Sequence, residues 1–155
     1  MAEENGAAGE QPQQQYALQR IYVKDVSFEA PQGFAAFKQQ WQPEINFNLG
    51  VGNTRIDEQN IEVVLTLTVS AKQGDDTAFL VEVQQAGIFT LIGFDDAMMA
   101  QVLNIACPQT LYPYAREVVE QLVIKGSFPP NMLPLSVNFE AMFQQAQQQQ
   151  QGAEQ

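Results

Sequence analysis

The chain has 155 residues, 45% of them apolar, and a formal charge of −11 from eighteen acids against seven bases. That size supports one domain with a moderate core, and that charge argues against nucleic acid or an anionic membrane surface as a partner while suiting a basic protein. Histidine is absent and Cys107 is the single cysteine, which removes the usual neutral-pH general base, the Ser-His and Cys-His nucleophile pairs, the commonest zinc ligand and any internal disulfide.

Residues 1–15 combine Gly, Ala, Gln and Glu and read as a disordered acidic tail. The start lacks an apolar h-region, so it is not read as a secretory signal. No stretch approaches the ~18 consecutive apolar residues of a membrane span. With the cysteine usage, this gives a cytoplasmic expectation. Glu3, Glu4, Glu10 and Glu154 lie in the tails and no base does, so fourteen acids face seven bases in between.

Leu18 to Ala30 is rich in Ile, Tyr, Val and Phe and stops at Pro31, which predicts a first strand with Asp25 and Glu29 on one face. Glu44 to Leu49 alternates, with Ile45, Phe47 and Leu49 opposite Glu44, Asn46 and Asn48; Gly50 and Gly52 predict a turn after it. Ile61 to Ser70 repeats the alternation, and Lys72 to Asp76 reads as a turn. Thr77 to Phe89 is the most informative strand. Phe79, Val81, Val83 and Gln85 share one face, read as core or subunit contact, while Leu80, Glu82 and Gln84 share the other. A leucine beside a carboxylate on an exposed face suggests partner docking rather than a catalytic cleft.

After Gly93 the period changes. Asp95 or Asp96 caps a short helix through Ala106, which Cys107-Pro108 is expected to end. Apolar positions 111, 114, 115, 118, 119, 122 and 123 predict a helix to Lys125-Gly126. Pro129, Pro130 and Pro134 predict a loop, and Asn138 starts a last helix with Phe139, Met142 and Phe143 on one side. Residues 144–155 form a Gln-rich flexible tail, leaving one domain over 16–143. Strands first and helices afterwards predict an α+β fold: a four-stranded antiparallel sheet with two main helices on one face and the other face free. A free face favours self-association.

The chemistry of an enzyme is not favoured. Gly50-Val51-Gly52 lacks the third glycine of a dinucleotide loop, and no G-x-x-x-x-G-K-[ST] loop occurs. Asp25 and Glu29 lie roughly 13 Å apart along a strand, wider than the about 5–9.5 Å of a glycosidase pair. No catalytic residue, cofactor or metal site is assigned.

Gln19 to Pro31, Q-R-I-Y-V-K-D-V-S-F-E-A-P, followed by Trp41-Gln42-Pro43-Glu44, resembles the start of the SecB family of bacterial protein-export chaperones. Phe79 to Phe89, F-L-V-E-V-Q-Q-A-G-I-F, resembles that family's fourth strand. Cys107-Pro108, Leu111-Tyr112-Pro113-Tyr114-Ala115-Arg116-Glu117, Gly126-Ser127-Phe128-Pro129 and Val137-Asn138-Phe139 continue the resemblance in order, over roughly residues 16–143. It implies a cytoplasmic homotetramer, a dimer of dimers. Such an assembly binds unfolded precursor proteins without nucleotide, keeps them translocation-competent and delivers them to the export ATPase SecA. It further implies that an acidic outer sheet face, here Asp25, Glu29, Leu80 and Glu82, receives the basic zinc-binding C-terminal tail of SecA.

Each site has a bland counterpart. Asp25 and Glu29 alone would be a solvated strand face; Leu80, Glu82 and the resemblance turn the balance to docking. Phe79, Val81, Val83 and Gln85 read as core or subunit contact, and Gln85 needs partners for a buried amide. Trp41, Ile45, Phe47, Leu49, Phe139 and Phe143 would individually be core. Collectively they are candidates for a client groove, because a chaperone must expose broad apolar surface, and Met98, Met99, Met132 and Met142 are candidates to line it adaptably. Cys107 reads as a small buried apolar residue. The rival readings are a specialised SecB-like chaperone with a narrow client range, or a small α+β carrier or enzyme for an apolar ligand.

Overall fold

The two strands with the cleanest alternation form the centre of the sheet. In the computed structural model, which describes residues 13–153, β3 (Asn60–Gln73) and β4 (Asp76–Ile92) pair antiparallel, with β1 (Gln15–Glu29) on the far side of β4 and β2 (Glu44–Arg55) beyond β3. The order is β1-β4-β3-β2, all neighbours antiparallel. Residues 1–12 of the expected acidic tail and 154–155 of the expected Gln-rich tail lie outside the described residues.

Ile61, Val63, Leu65, Leu67, Val69 and Ala71 of β3 and Phe79, Val81 and Val83 of β4 are fully buried on one face. Each such large side chain contributes about 1.5–3 kcal/mol over its exposed state. Against that face packs α2 (Cys107–Lys125), whose Leu111, Tyr112, Ala115, Val119 and Val123 are buried. This is a clean inside/outside sheet, with the helices on one face.

Two predicted boundaries move. The strand β2 runs straight through Gly50 and Gly52, which pair with Thr66 and Val64. Both glycines project to the outer, solvated side of an edge strand, where no packing is lost by lacking a side chain. The turn falls instead at Ile56–Gln59, where Asp57 Oδ1 accepts the backbone N–H of Gln59 (2.9 Å) and Asn60 (2.8 Å).

Cys107-Pro108 does not end a helix either. The α1 helix (Asp96–Gln101), capped by Asp95 Oδ1 on Met98 N at 2.8 Å, passes through a π turn at Val102–Ala106 into α2 without a break. Cys107 N–H closes the wide turn on Val102 O. Pro108 then falls in the first turn of the new α winding, where its missing N–H costs little. The last helix, α3 (Phe139–Ala153), is capped by Asn138 Oδ1, which accepts Ala141 N–H at 2.9 Å. It rests on the π turn.

Candidate functional site

Which face Asp25 and Glu29 occupy is decided by two β-bulges in β1. The pairing runs Leu18↔Phe89 and then Arg20↔Ile88, skipping Gln19; it runs Val23↔Gln85 and then Asp25↔Gln84, skipping Lys24. Each extra residue shifts the phase by one, so Leu18, Ile21, Val23, Val26 and Phe28 all face the helices although their spacing is 3, 2, 3 and 2. Asp25, Ser27 and Glu29 therefore face outward, opposite Gln84, Glu82 and Leu80. On the other flank of β4, Thr68 and Ser70 oppose Glu82 and Leu80. All four candidates thus share one outer surface that no helix among the described residues covers.

The electrostatics of that surface are uneven. Among the described residues there are two ion pairs, Lys24–Glu62 (2.8 Å) and Arg116–Glu120 (3.3 Å). Asp25, Glu29 and Glu82 therefore have no paired base among the described residues. Thr68 Oγ1 donates to Glu82 Oε2 at 3.2 Å, which aims the carboxylate along the sheet. Leu80 is 39% exposed beside it. The nearby Glu62 is different: Lys24 and the Tyr22 hydroxyl both donate to it and hold its carboxyl below the usual range. The same hydrogen bond pushes the Tyr22 phenol up to about 12.

Phe79, Val81 and Val83 have no exposed surface within one copy of the chain, and Gln85 is buried with them. Gln85 Nε2 donates to the Tyr22 carbonyl at 3.0 Å, on the backbone beside the second bulge, while its Oε1 has no hydrogen-bond partner among the described residues.

The six groove candidates fall on the helix-bearing side along the β2 margin. Trp41 joins an aromatic cluster, 5.3 Å from Phe128 and 6.5 Å from Phe79, with Phe37 5.4 Å from Phe128. Ile45, Phe47 and Leu49 follow on alternate β2 positions opposite Ala71, Val69 and Leu67. Leu49 then meets Phe139 and Phe143 in an open cleft of about 170 Å³, completed by Val51, Asn104, Met142 and Ala146. Of the four methionine candidates only Met142 lines that cleft; Met99 and Met132 pack on the core. Phe28, Phe37, Phe128 and Val51 escaped the sequence reading. A phenylalanine between Gly-Ser and Pro-Pro looks like loop, and only its ring contacts reveal a wall.

Cys107 is buried beside Tyr16, and burial pushes its thiol up to about 12, so it is unreactive packing. Among the described residues no cluster of His, Cys, Asp and Glu is placed to hold a metal, and no helix is long and apolar enough to cross a membrane.

A model of the preprotein translocase subunit SecB family matches residues 9–150. The protein-export protein SecB of Nitrosococcus oceani is 53% identical over 158 residues, covering 99% of this chain and 96% of its own. That of Hahella chejuensis is 48% identical over 148 residues, covering 96% and 91%. Among solved structures, a SecB-like chaperone of Mycobacterium tuberculosis in complex with an antitoxin peptide superposes with a TM-score of 0.61. It is 15% identical and covers 77% of this chain and 90% of its own; this likeness speaks to the fold.

Proposed function

This chain belongs to the SecB family and is a protein-export chaperone, and from that premise we propose that its two sheet faces divide the work between client and export motor. The outer face docks the basic, zinc-binding C-terminal tail of SecA; the helix-bearing margin holds unfolded precursor. The chaperone acts on the cytoplasmic side, without nucleotide and without a catalytic site, as a homotetramer built as a dimer of dimers. The domain it uses is residues 16–143, with α3 continuing past it as a helix to Ala153 before the C-terminal end.

One observation carries the docking assignment: the bulged register sets Asp25 and Glu29 on the same face as Leu80 and Glu82, and among the described residues none of the three carboxylates has a paired base. Unpaired acids on an open sheet speed encounter with a cationic tail, and the leucine supplies the apolar contact that a purely ionic surface lacks. For the client, the line from Trp41 through Ile45, Phe47 and Leu49 to Phe143 is an apolar strip. Its β2 part alone spans roughly 13 Å at strand rise, a length suited to an extended segment rather than an enclosed small molecule. Many weak contacts of this kind add up through multivalency, and holding the unfolded state suppresses folding and aggregation by mass action.

Charge reversal tests the division. Glu82→Lys is expected to weaken binding of SecA at least tenfold at modest salt, while binding of a denatured precursor changes less than twofold. Normal SecA binding by Glu82→Lys would remove the docking assignment.

A further inference from the structure

We propose that Lys24, Tyr22 and Glu62 are positioning residues for the docking face: together they clamp the bulge at Lys24, and that bulge turns Asp25, Ser27 and Glu29 outward. The proposal rests on the docking reading above and adds the device that sets its geometry.

The register supplies the first half of the argument. In a regular ladder Lys24 would stand opposite Gln84, and every later residue of β1 would change face. Asp25, Ser27 and Glu29 would then point toward the core, and Val26 and Phe28 would point to solvent. One extra residue prevents this. A bulge leaves the ladder locally unpaired, so it persists where side chains hold it.

The anchors lie on both sides of the sheet. From the helix side, Gln85 Nε2 takes the Tyr22 carbonyl at 3.0 Å. From the outer side, the Tyr22 hydroxyl donates to Glu62 Oε2 and the Lys24 ammonium donates to Glu62 Oε1 at 2.8 Å. Glu62 is on β3, so both side chains reach across β4 to it. What they cross is Ala86, the partner of Tyr22, which faces outward yet has no exposed surface. A larger residue there would block the reach. Two donors, one on either side of Val23, thus converge on one carboxylate two strands away. An isolated surface ion pair has no such geometry and contributes little; a shared acceptor fixes both sides of the bulge at once.

The clamp makes a prediction opposite in sign to simple charge counting. Removing a cation from an acidic face should tighten a cationic partner if charge alone matters. If Lys24 positions Asp25 and Glu29, Lys24→Met binds SecA about fivefold more weakly. Glu62→Gln behaves alike, Lys24→Arg restores binding, and denatured-precursor binding is unchanged in all three. Amide hydrogen exchange reports the same event, accelerating from Asp25 to Glu29 in Lys24→Met while the β3–β4 ladder stays protected. Tighter or unaltered SecA binding by Lys24→Met overturns the clamp, as does unaltered exchange over Asp25–Glu29. If Lys24→Met fails to fold, Glu62→Gln, which keeps the shape and the Tyr22 contact, decides by the same two readings. Glu82→Lys, measured beside them, separates the two ideas: weakened binding there with normal binding in Lys24→Met defeats the clamp alone, and normal binding in Glu82→Lys defeats the docking reading itself.

Discussion

At the scale of single residues, the informative groups are polar ones whose partners are two strands away. Glu62 is held below the ordinary carboxylate range, first by the Lys24 hydrogen bond and then by Tyr22. A carboxyl depressed by folding contributes stability above its unfolded pKa and loses it as pH falls through the folded value. Thermal melts should therefore show a loss between neutral pH and the region below about 4 that Glu62→Gln reduces. Tyr22 works in the other direction. Raised to about 12 by the same bond, it contributes stability that fades as pH climbs past its unfolded value toward that point. Such pairings were not legible in the sequence, because nothing local links Tyr22 or Lys24 to position 62. The parity of Leu80 and Glu82 was legible, since β4 alternates without interruption across them.

At the scale of elements, the sequence spoke most clearly where a strand was regular and buried. β3 alternates strictly and β4 does so from Phe79 onward, past a register shift at Ala78, and their inner faces follow from period two. The first strand has the same chemistry but two phase slips, visible as apolar gaps of three residues at Leu18–Ile21 and Val23–Val26, which resemble noise until the pairing is known. Glycine misled at Gly50 and Gly52 because its usual role is the turn, whereas an edge strand with a solvated outer side tolerates it. Gly87 shows the opposite demand. A Cβ there would stand 2.9 Å from Leu111 and from Phe89 and 3.2 Å from Leu18, so α2 can approach β4 only over a bare backbone. Gly87→Ala is expected to destabilise the domain by about 1–3 kcal/mol through overpacking, read as a fall in the midpoint of urea unfolding with its slope unchanged.

At the scale of the whole molecule, the chain leaves apolar surface that a solitary domain would not need. Tyr16, Val23 and Val26 on the β1 edge and Tyr114 and Ile124 on α2 are each at least 40% exposed. Patches of this kind mark contact with other chains, which agrees with the tetramer proposed above. A charge within the β1 patch should be incompatible with association. Val26→Glu is expected to reduce the mass seen by sedimentation equilibrium, and to weaken binding of long precursors more than of short peptides, because only long clients exploit several copies at once. Retention of the parent mass would place the contact elsewhere.

The π turn at Val102–Ala106 has a consequence for mutation of a different kind. A π turn is one residue spliced into an α-helix, and an α-helix advances by about 100° per residue. Removing one of these five residues would restore ordinary winding and leave α1 facing nearly as before, because the wide turn already absorbs the extra residue. Removing one residue from the α winding on either side would instead carry Met98 and Met99 about 100° around the axis relative to α2. Asn104, which lines the α3 cleft, lies within the segment, so the effect of a removal inside it is local to that cleft. A one-residue loss inside this segment is absorbed; the same loss in the windings beside it acts on direction.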